Sequence, residues 1–209
     1  MPRVSEAYKE QRRQEILQAA ERVFRRKGFG PATMQDLMDE TGASRGGLYL
    51  YFSSKEDVYM ALLEAKSAAA QGEARGLLER SPSVWQAIES YLAQLEAEAR
   101  TVRDDPDHVS RLEFWLTGLR DEKRRAFSTA RYQTSVAFIR EVLRAGIERG
   151  ELQPTLDPDT VARLYLTFLD GLTIHSLFFG SETTQVSSQV AAFRKLLIDV
   201  LQPEKFSES

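Results

Sequence analysis

The stretch Thr41-Gly42-Ala43-Ser44-Arg45-Gly46-Gly47-Leu48-Tyr49-Leu50-Tyr51-Phe52 decides how this chain reads. Gly42 can take the positive φ that ends a helix. Ser44, two residues on, is a good N-cap for the next one. A helix therefore stops near Glu40, and another starts at Ser44 and runs from Arg45 to about Leu50. Two helices joined by three or four residues that include a glycine have the layout of a helix-turn-helix. Leu48 and Phe52 stand four apart, the spacing of one helical face, so both point inward. Tyr49 is left to point outward, and Ser44-Arg45-Gly46-Gly47 keeps that outer face small around one cation. Two glycines cost a helix about 1 kcal/mol each against alanine. Such a cost fits a helix whose backbone must approach a partner closely, and the major groove of DNA, about 12 Å wide, asks for that. A surface loop with a glycine pair is the plain alternative.

The flanks fit the same layout. Upstream, Thr33 and Asp36 have capping-box spacing, with Asp in place of the usual Glu. Met34, Leu37 and Met38 follow as an inward face. Before them a first helix runs from about Ala7 to Lys27, with Ile16, Leu17, Ala20, Val23 and Phe24 as one apolar stripe. Arg25, Arg26 and Lys27 sit in its last turn, where cations suit the helix dipole, and Gly28 is the expected cap. Downstream, Tyr51 lies where a hydroxyl can donate to a phosphate. Lys55 falls in the first turn of a fourth helix, where an ammonium adds a charge-assisted bond to an anion.

The rest reads as longer helices with no internal repeat and no sustained strand alternation. Ser81-Pro82, Asp121 and Asp157-Pro158 open three of them, Asp104-Asp105-Pro106 breaks the chain, and the last spans about Thr184 to Leu201. The fold class expected is all-α, of about nine helices.

The 209 residues are 42% hydrophobic and 28% charged, ordinary for a chain that buries a core. With no cysteine there is no disulfide, zinc finger or thiol nucleophile, and two histidines leave little for a metal site. No catalytic triad order, phosphate loop or nucleotide fingerprint appears, so no catalytic residue, metal or cofactor is expected. The polar start lacks a secretory apolar core. The apolar run Leu164 to Phe179 is too short and too polar for a confident membrane span. The expected location is the cytoplasm. Net charge is −3. Residues 1–55 nevertheless hold ten basic side chains against seven acidic ones, a local +3, and the remainder carries −6. That asymmetry suits a polyanion at the N-terminal end, or simply a solvated helix face.

Taken together, Thr33 through Val58 resembles the DNA-binding signature of the TetR family of bacterial transcriptional regulators. The ordered run Thr41 to Tyr49 is followed by Tyr51-Phe52 and Ser53-Ser54-Lys55-Glu56. It is preceded by Ile16-Leu17, Ala19-Ala20, Phe24 and Lys27-Gly28-Phe29. The strong match covers about residues 12–62. The resemblance implies a helix-turn-helix domain over 1–53, a helical ligand-binding and dimerisation domain over 54–203 and a flexible tail over 204–209. It implies a homodimeric repressor that releases a palindromic double-stranded DNA operator when a small-molecule effector binds. By matching position Arg45, Gly46 and Tyr49 face bases with Gly47 beside them, and Thr33, Ser44, Tyr51 and Lys55 hold phosphates. Leu50 departs from the polar or aromatic residue common at its place. Arg3, Lys9, Arg12 and Arg13 form an arm that adds electrostatic binding. Pairing is expected through the two C-terminal helices, about 157–178 and 184–201. Trp85, Tyr91, Phe114, Trp115, Tyr132, Tyr165, Phe168 and His175 are the expected ligand wall, with Glu113 and Asp170 as further polar groups.

Overall fold

A computed structural model describes residues 6–204 of the chain. The expectations for Arg3 and for the tail beyond Glu204 lie outside the described residues. Ten α-helical segments follow one another: α1 (Glu6–Lys27), α2 (Met34–Thr41), α3 (Arg45–Tyr49), α4 (Lys55–Arg80), α5 (Val84–Thr101), α6 (Pro106–Thr117), α7 (Glu122–Glu148), α8 (Pro158–Phe179), α9 (Ser181–Thr184) and α10 (Val186–Leu201). A 3-10 turn, Val102–Asp104, joins α5 to α6. No strand occurs among the described residues, and α9 is a single turn, so the all-α reading holds.

Local chemistry sets most boundaries. The α1 stripe is buried at Ile16, Leu17, Ala19, Ala20, Val23 and Phe24. Gly28 at φ 83° ends the helix, its N–H donating to the Phe24 carbonyl at 2.9 Å. Asp121 caps α7 by accepting the Arg124 N–H at 2.9 Å, and Asp157 caps α8 through the Thr160 N–H at 3.0 Å. Two starts differ from the sequence reading. For α5, Ser83 rather than Ser81-Pro82 opens the helix: Ser83 Oγ accepts the Gln86 N–H at 3.1 Å, and Glu151 accepts the Val84 N–H at 2.6 Å. The last helix is interrupted at Gln185, whose φ of 51° separates α9 from α10.

By packing, the chain forms two compact units. One takes the described chain up to Ala69 together with Pro106–Ser128, and the other takes Ala70–Asp105 with the described chain from Thr129 on. The first unit is therefore larger than the 1–53 segment read from sequence. Three helices within some fifty residues bury little surface on their own, and further core comes from later in the chain. Phe114 of α6 is fully buried against Phe29 and Tyr59, at ring distances of 5.1 and 5.0 Å. Ser110 donates to the Phe24 carbonyl at 2.9 Å, and Glu113 accepts the Gly30 N–H at 2.9 Å. In the second unit Leu92, Leu95, Leu143, Leu152, Leu172, Leu197 and Leu201 share one core. Among the described residues no helix is long and apolar enough to cross a membrane.

Candidate nucleic-acid interface

Helix α2 braces the site. Its capping box is complete: Thr33 N–H donates to Asp36 Oδ2 at 3.0 Å and Asp36 N–H donates to Thr33 Oγ1 at 3.2 Å. Leu37 is fully buried, with Met34 and Met38 packed at the edge of the same core. Gly42 at φ 62° ends the helix in the left-handed region, where a side chain would be strained. The turn then delivers Ser44, whose Oγ accepts the Gly47 N–H at 3.2 Å and caps α3.

The two glycines of α3 do different jobs. A Cβ at Gly47 would stand 3.2 Å from the Ser44 oxygen, so the small residue leaves room for the cap. A Cβ at Gly46 would meet nothing within 4 Å. Gly46 faces outward, and its lack of a side chain serves whatever approaches from outside.

Leu48 has no solvent exposure and Phe52 almost none, which anchors α3 as its spacing predicts. At about 100° per residue, positions two before and two after Leu48 lie on the opposite side of the helix. Those positions are Gly46 and Leu50. Tyr49 is 42% exposed and Leu50 77%. The Arg45 guanidinium lies 5.6 Å from the centre of the Tyr49 ring, a cation–π distance. Among the described residues Arg45 has no ion pair, so its five donors remain for an outside acceptor. Arg45, Gly46, Tyr49 and Leu50 thus form one outward surface, while Tyr51 is half-buried against the core.

The residues expected on phosphates are engaged inside the protein to different degrees. Ser44 accepts a bond as a cap and keeps its O–H for donation. Thr33 donates its hydroxyl proton to Asp36 at 2.8 Å. Lys55 is the clearest departure from expectation. Its ammonium donates to the carbonyls of Phe29, Gly30 and Ala32 at 3.0, 2.7 and 2.9 Å, and it lies 4.8 Å from the Phe29 ring centre. An ammonium has three protons, and three carbonyls take them. Lys55 fastens the α1–α2 loop instead of reaching outward.

The cations of α1 are similarly occupied. Arg22 and Arg26 hold Glu40 at 2.8 and 3.0 Å, and Lys27 holds Asp36 at 2.6 Å. They tie α1 to α2 besides suiting the helix end. Hydrogen bonds from Lys27 and then Thr33 keep the Asp36 carboxyl below its ordinary range, and those from Arg22 and Arg26 do the same for Glu40. On the expected arm, Lys9 pairs with Glu6, Arg12 with Glu15 and Arg13 with Glu10 at 2.8, 2.7 and 3.9 Å. Exposed pairs of this kind are weak, so a phosphate can compete for these cations.

The residues expected to line a ligand site are divided between the two units. Phe114 belongs to the core of the first unit, with Trp115 partly buried against it. Glu113 is taken by the Gly30 N–H. In the second unit Tyr91 and Tyr165 stand 6.3 Å apart, Tyr165 lies 6.2 Å from Phe193, and Phe168 stacks on Phe193 at 3.9 Å. Burial pushes the Tyr165 hydroxyl well up and raises Tyr91 as well. The Tyr165 oxygen is buried with no hydrogen-bond partner among the described residues. Trp85 is buried in the same unit's core, whereas Tyr132 and His175 are exposed. Asp170 is exposed on α8.

Comparison with known proteins agrees with this geometry. Residues 16–62 match the family described as bacterial regulatory proteins, tetR family, and residues 87–187 match a tetracyclin repressor-like C-terminal domain. The chain is 38% identical over 209 residues to the HTH-type transcriptional regulator YfiR of Bacillus subtilis, covering 98% of each. It is 30% identical over 188 residues to the HTH-type transcriptional repressor AcnR of Corynebacterium diphtheriae, covering 88% of this chain and 90% of that one. A TetR transcription regulator from Haloarcula marismortui has the same fold, with a TM-score of 0.72 at 20% identity over 92% of this chain and all of that one.

Proposed function

The chain belongs to the TetR family of bacterial transcriptional regulators, and on that premise we propose that it is a homodimeric cytoplasmic repressor that leaves a palindromic operator when a small molecule binds its second unit. The observation that carries the reading is the outer face of α3: Arg45 without an ion pair among the described residues, Gly46 without a side chain, and Tyr49 exposed, all on a helix anchored by Leu48. A helix braced on one side and narrow on the other suits the major groove. Arg45 is the base reader, offering two parallel donors to guanine O6 and N7. Ser44 and the α1 cations Lys9, Arg12 and Arg13 supply phosphate contacts, and Lys55 keeps the α1–α2 loop in place for them.

Dimer formation is supported by exposed apolar side chains on the two C-terminal helices. Leu164, Phe178 and Phe179 of α8 and Leu196 of α10 are each more than two-fifths exposed. A second copy that covers them removes that surface from water. Two copies of α3 then read two half-sites at fixed spacing. An effector in the second unit is supported by Tyr165, whose buried hydroxyl, beside Tyr91 and Phe193, has no partner among the described residues. Such a hydroxyl is costly unless something bonds it. Helix α4 contributes residues to both units, and an effector acts through it by preferring the conformation that does not hold DNA.

The test is selection of bound duplexes from a random pool, followed by titration of the enriched sequence at rising salt. The proposal expects a sequence with two-fold symmetry, a steep loss of affinity with log salt, and release by at least one compound from an effector screen. Enrichment of an asymmetric single site, or retention of DNA at effector saturation, counts against the corresponding part.

A further inference from the structure

Leu50 is more exposed, at 77%, than any other large hydrophobic residue described, and it lies in the middle of the surface that faces the groove. It stands opposite the buried Leu48, on the same line as Gly46. Its N–H donates to the Gly46 carbonyl at 3.1 Å. A Cβ at Gly46 would meet nothing within 4 Å, the Leu50 side chain included, so both positions stand open on that line. Arg45 and Tyr49, paired with each other, occupy the neighbouring edge. The outermost point of α3 is therefore apolar, with the polar reader to one side.

From this we infer that Leu50 reads a thymine through its C5 methyl group. The inference rests on the DNA-binding reading of α3 and adds a base to it. Major-groove edges consist of hydrogen-bond donors and acceptors, apart from that methyl and the smaller C5–H of cytosine, which leaves a leucine less to cover. Covering a donor or acceptor with a leucine removes water from it and returns no bond, which is unfavourable. Covering a methyl is favourable. Leu50 thus selects thymine at one position and penalises the edges that offer polar atoms there. Arg45 and Leu50 are five residues apart, about 7.5 Å of helix, so the thymine lies within roughly two or three base pairs of the guanine taken by Arg45.

The experiment starts from the enriched duplex and replaces each thymine in turn by deoxyuridine, which removes the methyl and leaves every hydrogen bond in place. Wild-type protein and Leu50→Ala are titrated against the set. At one thymine in each half-site the wild type is expected to lose about three- to fivefold in affinity, the worth of one buried methyl. Leu50→Ala is expected to bind the thymine duplex more weakly and to be indifferent to the same replacement. Leu50 is exposed, so the variant keeps its fold, and the wild-type scan needs no variant at all. If the wild type tolerates every replacement, or Leu50→Ala loses as much as the wild type does, the inference is overturned while DNA binding stands. If no duplex is enriched, both fall together.

Discussion

The Lys55 ammonium donates to the Ala32 carbonyl at 2.9 Å, one residue before Thr33 caps α2. The first residue of α4 thus holds the backbone from which the helix-turn-helix departs. Replacing Lys55 by methionine keeps an apolar stem beside Phe29 and leaves three carbonyls without their donor. The expected cost is about 1–3 kcal/mol of stability, read as a lower urea midpoint. DNA binding is expected to weaken on all sequences alike, with an unchanged slope of log affinity against log salt. A slope reduced by about one would instead mark Lys55 as a phosphate contact.

Gly46→Ala separates stability from function. The added methyl meets nothing within 4 Å, and alanine favours the helix by up to about 1 kcal/mol over glycine. The variant is expected to melt at a higher temperature and to bind the enriched duplex several-fold more weakly, because the methyl holds α3 away from the base edges. Equal or tighter binding contradicts that placement.

Arg45→Ala is expected to leave the melting temperature unchanged, since Arg45 has no ion pair among the described residues. Competition between duplexes that differ at one base pair is the measurement. Discrimination at one guanine should fall by about 1–3 kcal/mol, with preferences elsewhere kept.

Low pH is expected to loosen α2 from α1. Asp36 and Glu40 titrate below their ordinary values because Lys27 and Thr33, and Arg22 and Arg26, bond their charged forms. A lowered folded-state value means that the contribution is complete above the unfolded value near 4. It is lost as pH falls through the lower folded value. Thermal midpoints should stay level from neutrality down to about pH 5 and fall below about pH 4. Asp36→Asn should remove part of that fall; an unchanged acid limb contradicts the assignment.

Much of the fold was legible because its signals are local. Gly28, Thr33, Gly42, Ser44, Asp121 and Asp157 mark helix ends through bonds within a few residues, and each acts where its type predicts. The Leu48 and Phe52 face also follows from spacing alone. What could not be read depends on partners far along the chain. Lys55 meets carbonyls 23 to 26 residues earlier, and Glu113 reaches back 83 residues to Gly30. No spacing rule reports such pairs. The first unit extends past residue 53 through the same kind of distant pair, since Phe114 completes a core begun by Phe24 and Phe29. Of the expected ligand wall, Tyr91, Tyr165 and Phe168 fall in one aromatic cluster. Aromatic residue type alone could not separate them from Phe114, which fills a core, or from the exposed Tyr132. Leu50 was visible as a departure from the family pattern, and two steps around the helix from Leu48 is the signal that places it outermost.

Methylation interference on the enriched duplex shows which groove α3 occupies. Dimethyl sulfate places a methyl on guanine N7 in the major groove and on adenine N3 in the minor groove. If α3 occupies the major groove, N7 methylation at the guanine read by Arg45 blocks binding of the wild type and ceases to matter for Arg45→Ala. Binding that ignores N7 methylation throughout the site would contradict the account.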